Sequence, residues 1–308
     1  MTLRRARTWL PLVFAALLSG CFGSGSKPDQ RPDTALPVLA AKPRVGLALG
    51  GGAAKGFAHI GVIKMLEASG IHADVVSGTS AGSVVGVLYA SGMDAFQLQE
   101  TAFALDEGKI RDVRFFSGGL VQGQKLQDYV NALLKNTPIE KLHTPFAAVA
   151  TQLENGDRAI FIRGNAGQAV RASSSIPGVF EPVEIDGRHF VDGGVVSPVP
   201  VDAARQLGAD IVIAVDISAR PDGKNPDSMV GIVGQSITIM GRRLAEQELG
   251  RADVVIRPKV GQIGPTDFDQ KNVAILEGER AALAAIPAIK AKLAEKTAAM
   301  GKPPVPAR

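Results

Sequence analysis

The sequence is poor in residue types that many folds and chemistries require. Cys21 is its only cysteine, which excludes disulfides and any cysteine-rich metal site. No cluster of Asp, Glu and His stands at metal-ligand spacing, so neither a metal nor another cofactor is expected. An excess of one charge is missing too. The formal net charge is +4, but Arg4, Arg5 and Arg7 stand at the extreme N-terminus. From residue 21 onward there are 31 basic and 30 acidic side chains, which argues against nucleic acid as a partner. A mean hydropathy of +0.13 invites a search for a membrane span. The apolar stretch from Trp9 to Leu18 is about half of the ~20 residues a spanning helix needs, and Pro11 interrupts it. With 45% hydrophobic and 21% charged residues, the chain is neither disordered nor collagen-like.

What is present begins with an export pattern. Three arginines, a short apolar stretch and small residues before Cys21 describe a secretory signal over residues 1–20. Leu18-Ser19-Gly20-Cys21 resembles a bacterial lipobox, whose cysteine is diacylated and becomes the mature N-terminus; the alternative is an ordinary signal with an accidental cysteine. Residues 21–43 then comprise the lipidated cysteine and a tether rich in Gly, Ser, Pro and Asp, whose r.m.s. span as a flexible coil is roughly 25 Å. Phe22 and Gly23 follow the cysteine, without the aspartate that resembles an inner-membrane retention signal. The expectation is an exported lipoprotein, held on the outer membrane and facing the periplasm.

The body, residues 44–217, alternates apolar runs with helical periodicity. Strands are expected at 44–49, 74–77, 146–153, 157–162 and 211–217. Helices are expected at 57–68, beyond Ser80, and at 93–107, 123–136 and 199–207. Strands separated by helices imply a mostly parallel α/β sheet covered on both faces. Residues 218–308 read as a helical extension packing on the same domain: a helix near 228–249, a strand near 254–257 and an Ala-rich helix near 271–295 interrupted by Pro287. Phe115-Phe116-Ser117-Gly118-Gly119-Leu120 reads either as an apolar flap over an acyl pocket or as a loop whose phenylalanines fill the core. Oligomeric state leaves no trace.

Three motifs carry chemistry. Gly78-Thr79-Ser80-Ala81-Gly82 is a G-x-S-x-G between an apolar strand and a helix, where a serine is presented on a tight turn. The Ala81 amide, at the helix start, would point at a developing oxyanion. The second motif is Gly50-Gly51-Gly52-Ala53-Ala54-Lys55-Gly56. Its lysine precedes glycine rather than Ser/Thr, unlike a Walker loop. Its third glycine is misplaced for a dinucleotide fingerprint. An oxyanion hole, needing only about two amides beside the nucleophile, fits best. The third is Asp192-Gly193-Gly194 after Phe190-Val191, a carboxylate that could serve Ser80 as its base. An Asx-turn aspartate is the plain alternative. A hydrolase triad would place a histidine after Ser80, but His143 stands before a strand and His189 in a turn, neither with triad-like surroundings.

These motifs, in this order, resemble the patatin-like phospholipase family, and the likeness runs from about Arg44 to Ile217. It takes in Ala172-Ser173-Ser174-Ser175-Ile176-Pro177-Gly178-Val179-Phe180 and Ser197-Pro198-Val199-Pro200. The resemblance implies a three-layer α/β fold related to α/β-hydrolases, and a Ser–Asp dyad without histidine. Ser80 falls on the nucleophile, Asp192 on the base, and Gly51 and Gly52 on the oxyanion turn. Ala53 stands where many members have glycine, and Lys55 replaces the commoner arginine. The implied activity is hydrolysis of fatty-acyl esters of lipids or phospholipids through an acyl-enzyme. The alternatives are a non-catalytic lipoprotein of the same fold that binds lipid or protein, and a nucleotide-binding enzyme using the glycine turn.

Overall fold

The computed structural model describes residues 42–105, 112, 121–220 and 228–301. The signal, Cys21, most of the tether and Phe115–Leu120 lie outside the described residues. The apolar run after Arg44 forms β1 (Val45–Leu49), followed by a 3-10 turn (Ala53–Phe57) and α1 (Ala58–Ala68). β2 (Val75–Thr79) passes through Ser80 into α2 (Ala81–Ala90). α3 (Ala95–Ala104) starts at a capping box, where the Asp94 side chain accepts from the Gln97 N–H and the Gln97 side chain accepts from the Asp94 N–H. Next come α4 (Gln124–Leu133), β3 (Phe146–Gln152), β4 (Arg158–Phe161) and α5 (Ala166–Ser173). They are followed by β5 (Val183–Ile185), β6 (Arg188–Asp192), α6 (Val201–Gln206) and β7 (Ile211–Val215). The chain continues through α7 (Met229–Leu249), β8 (Val254–Ile256) and α8 (Lys271–Met300).

Strands β3, β2, β1, β7 and β8 pair in parallel in that order, while β4 and β6 run antiparallel to β3 and β5 forms a hairpin with β6. The period of two along each strand sorts the core into layers. Leu47, Leu49, Ile213 and Val215 point into a large cluster with α1, α2 and α8. The intervening Ala48, Val212 and Ala214 meet Val201 and Ala204 of α6 and Ala245 and Leu249 of α7. Helices therefore cover both faces, which is why β1 and β7 are apolar throughout.

One detail of register places the site. β2 and β4 both pair with Ala148 and Val149 of β3, so they occupy its opposite edges. β4 and β6 likewise share Ala150 and Thr151, so β6 lies on the edge that β2 uses. β2 and β6 thus approach each other end to end along one side of β3. Thr79 ends β2 opposite Val149, and Asp192 ends β6 opposite Ala150. These are consecutive rungs.

Some local expectations change. His189 lies on strand β6, and the turn before it is confined to Asp186-Gly187. α5 was not anticipated, because eight residues show little period; its start is marked by Asn165, whose side chain accepts from the Gln168 N–H. α8 does not break at Pro287 but runs on to Met300. Proline removes the hydrogen bond to the Leu283 carbonyl, and Leu283 stands on the exposed side of the helix, where water can replace it. α8 is held against α1 by two glycines. A Cβ on Gly61 would stand 2.0 Å from the Ile275 carbonyl oxygen, and one on Gly278 would stand 2.0 Å from that of Ala58.

Candidate active site

Ser80 joins β2 to α2 with φ 52° and ψ −124°, a left-handed conformation that costs a non-glycine residue about 1–3 kcal/mol. Its neighbours make the bend possible. A Cβ on Gly82 would lie 2.1 Å from the Leu49 carbonyl oxygen, and one on Gly78 would lie 2.4 Å from the Gly82 oxygen. The first turn of α2 closes on the serine, whose carbonyl accepts from Ser83 N and Oγ at 2.8 and 2.7 Å. Its own N–H donates to Ser173 Oγ at 2.9 Å, and that hydroxyl donates to the Val149 carbonyl at 2.6 Å.

Asp192 ends β6, is buried, and accepts from the Gly194 N–H at 2.6 Å through Oδ1. Its backbone N–H donates to the Ser175 carbonyl at 2.8 Å. Burial pushes its carboxyl up to about 6, opposed by the Ser80 side chain and the Gly194 N–H. One short segment at the end of α5 therefore tethers both residues, Ser173 holding Ser80 and Ser175 holding Asp192. The sequence singled out this segment only through its likeness to a family, with no role attached.

The turn after β1 is fixed from several sides. Gly50 N–H donates to the Val215 carbonyl and Gly51 N–H to the Pro198 carbonyl, each at 3.0 Å. The second bond corrects the expectation for Gly51: its amide is already engaged, so it is no oxyanion donor. Its place is steric, since a Cβ there would come within 3.2 Å of Ser80 Cβ. Among the described residues no acceptor is found for the N–H groups of Gly52, Ala53 and Ala81. The last two open a 3-10 turn and a helix, where the first amides have no partner within the element. Ala53 sits at φ 49°, a conformation glycine adopts without strain. Gly56 lets this turn lie against α2, because a Cβ there would stand 2.6 Å from Ala81 Cβ.

His59 was not foreseen, because nothing in its local sequence separates it from other residues of α1. Fully buried, its Nε2 lies 2.8 Å from the Gly50 carbonyl oxygen. Burial pulls its protonation down to about 4, so at neutral pH the ring is uncharged and Nε2–H donates to Gly50. Lys55, the lysine of the same turn, is buried as well. Desolvation lowers its proton affinity and the nearby charge of Asp216 opposes that. The two histidines that follow Ser80 stand apart from it. His143 is exposed before the N-terminal end of β3, at the opposite end of the parallel strands from Ser80. His189 is exposed, and its Nδ1 lies 3.0 Å from Glu154 Oε1.

Comparison with known proteins points to the same family as the motifs do. The family model for patatin-like phospholipase matches residues 47–205. An uncharacterized NTE family protein of Mycobacterium tuberculosis is 37% identical over 204 residues, covering 65% of this chain and 56% of that protein. A second one from the same organism is 31% identical over 274 residues, covering 79% and 46%. A lysophospholipase, NTE1, of Coccidioides immitis is 35% identical over 190 residues, which is 58% of this chain and 12% of that protein. The chain thus spans about half the length of the mycobacterial relatives. The crystal structure of VipD from Legionella pneumophila matches with a TM-score of 0.55 at 14% identity, over 79% of this chain and 66% of that one, a likeness of fold. The matched range runs from β1 to α6 and contains the glycine turn, the serine bend and the aspartate, and with it the chain belongs to the patatin-like phospholipase family.

Proposed function

We propose that this chain is a serine acyl hydrolase that cleaves fatty-acyl esters of lipids with Ser80 as nucleophile and Asp192 as its base. The observation that carries the reading is the end-to-end meeting of β2 and β6 on β3, which sets a strained serine beside a buried carboxylate. Asp192 accepts the Ser80 proton as Oγ bonds to the ester carbon. The resulting oxyanion is received by the free amides of Gly52, Ala53 and Ala81, the last reinforced by the positive end of α2. Collapse breaks the ester C–O bond, and the departing alcohol takes the proton from Asp192. Water then gives a proton to Asp192 and attacks the acyl carbon. Ser80 leaves and takes that proton back, and the fatty acid is released. With Nε2–H of His59 directed at Gly50, no histidine is needed for any proton transfer.

Membership of the family and the lysophospholipase among the relatives support a lipid substrate. The N-terminal pattern supports an acylated Cys21 that anchors the domain to the outer membrane, since two or more chains give stable binding where one gives only marginal binding. A fluorophosphonate probe tests the catalytic reading: the wild-type chain should be labelled on Ser80 and Ser80→Ala should not. Equal labelling of both would sink it. Cys21→Ser should move the protein out of the membrane fraction; retention after a salt wash would place the anchor elsewhere.

A further inference from the structure

The segment Ser197–Pro200 crosses the ends of the strands that carry the site, and its carbonyls reach inward. Ser197 O accepts from Thr79 Oγ1 at 2.8 Å, Pro198 O from Gly51 N at 3.0 Å and Pro200 O from Ser77 Oγ at 2.8 Å. It is therefore bonded both to the turn that offers the free amides and to the strand that ends in Ser80. Two of its four residues are prolines and have no N–H. Ser197 N–H is taken by the Gly193 carbonyl. On the outer side this leaves the Val199 N–H and the Ser197 hydroxyl, and both go to one side chain.

That side chain is Glu248 of α7, beyond the range the family model matches. Oε1 accepts from Ser197 Oγ at 2.5 Å and Oε2 from Val199 N at 2.9 Å. The glutamate is only 4% exposed. Burial pushes its carboxyl up to about 7, opposed by Ser197, Val199 and the Arg158 guanidinium, whose Nη1 stands 3.7 Å away. Leu249 and Ala245 on the same helix share an apolar cluster with α6, the sheet and Val199. A carboxylate is costly at such a place unless both oxygens are used, and here both are used on the segment that holds the site.

We propose that Glu248 is a positioning residue of the active site: it clamps Ser197–Val199 from outside, and through Pro198 and Thr79 it fixes where the oxyanion turn stands relative to Ser80. The inference rests on the reading of Ser80 as nucleophile. It also gives the C-terminal extension a part in that site beyond covering the sheet. A shift of about 1 Å in this segment would carry the amides of Gly52 and Ala53 away from the developing charge, and misplacement on that scale costs up to about 10²-fold in rate. Substrate binding would be little affected.

The test is the kinetics of labelling by an alkyl fluorophosphonate, in which the Ser80 Oγ–P bond forms, the P–F bond breaks with loss of fluoride, and the proton goes to Asp192. The saturable step kinact and the binding constant KI are measured separately on the full-length protein, with Tm recorded for every variant. Glu248→Met fills about the same space but accepts from neither donor. Its kinact should fall about tenfold or more with KI unchanged. Ser197→Ala, a milder change on the other side of the same bond, should lower kinact about threefold. Ile289→Ala is the control, opening a buried cavity in α8 outside the cluster that holds Val199, and should lower Tm while leaving kinact as in the wild type. Wild-type kinact in both Glu248→Met and Ser197→Ala would overturn the proposal. So would losses of kinact that track Tm across all three variants. A folded wild-type protein that takes no label would instead remove the nucleophile reading, and the inference with it.

Discussion

Two regions of this molecule use glycine to let backbones touch, and they use the contact for opposite ends. Between α1 and α8, Gly61 and Gly278 each press against a carbonyl of the other helix, and the contact buries Ile275, Ala274 and Ala282 in the core. Its product is stability. Around Ser80, Gly78, Gly82 and Gly56 permit similarly close contacts, yet there Ser80 and Ala53 are held at positive φ and three amides have no acceptor among the described residues. The positive φ at those two residues costs free energy that the rest of the fold must offset. Close packing thus serves cohesion in one region and a held, unsatisfied geometry in the other.

That contrast breaks most sharply at Ser80 and Asp192, the proposed nucleophile and base. Ser80→Ala and Asp192→Asn should each lower ester hydrolysis by at least about 10⁴-fold while the protein remains folded. Ser80→Gly should be equally inactive but more stable by about 1 kcal/mol, because glycine adopts φ 52° without strain. Activity surviving in Asp192→Asn and vanishing on substitution of His143 or His189 would restore a histidine mechanism. Gly278→Ala is the mirror image. Backbone stands where the methyl would go, so the loss of stability should exceed the ~1–3 kcal/mol usual for overpacking, and it outweighs the ~1 kcal/mol that alanine gains in helix propensity. Thermal unfolding would measure it, and labelling per folded molecule should remain near the wild-type rate.

A third prediction sets the cost of Asp192 on a pH scale. Its carboxyl is raised from 3.8 to about 6 in the fold. The native state therefore holds this proton more tightly than the unfolded chain does, so the stability it contributes is fully present below about 3.8 and is lost as pH rises through about 6. The loss is about 3 kcal/mol. Denaturation of the wild type against Asp192→Asn should show the wild type losing most of this relative stability between pH 4 and 7. Over the same interval the labelling rate should rise and level off above about 6, as the base form appears. A flat difference in stability would show that the carboxyl is not desolvated. The smallest effect is expected at Ser173→Ala, which leaves the Ser80 N–H and the Val149 carbonyl without their shared partner. It should slow labelling about tenfold, and Ser173→Thr, which restores a hydroxyl, should recover most of that loss.

Ser80, Asp192 and the glycine turn stand out in the sequence because each lies in a run of adjacent residues with a local signature: apolar strand, small residues, then a turn or a helix. The layered sheet followed from the alternation of apolar runs and helical periods. Less legible was the set of groups that hold the site. Ser173 bonds to a residue 93 positions away and Glu248 to one 51 positions away. Nothing near Glu248 in the sequence distinguishes it from an exposed glutamate such as Glu246. The expectation for Gly51 failed for the same reason, since the carbonyl that occupies its amide belongs to Pro198.

By itself, then, the sequence determined the kind of layers this chain builds and which serine and which aspartate stand at turns, because strand, helix and turn preferences act over a few residues. It took the folded sheet to bring β2 and β6 together on one edge of β3, to leave certain amides of the turn without an acceptor among the described residues, and to set a buried acid against the segment beside them. Those outcomes depend on strand register and on acceptors brought in from distant parts of the chain. A hydrogen bond is indifferent to sequence separation, and its partner exists only once the chain has folded around it.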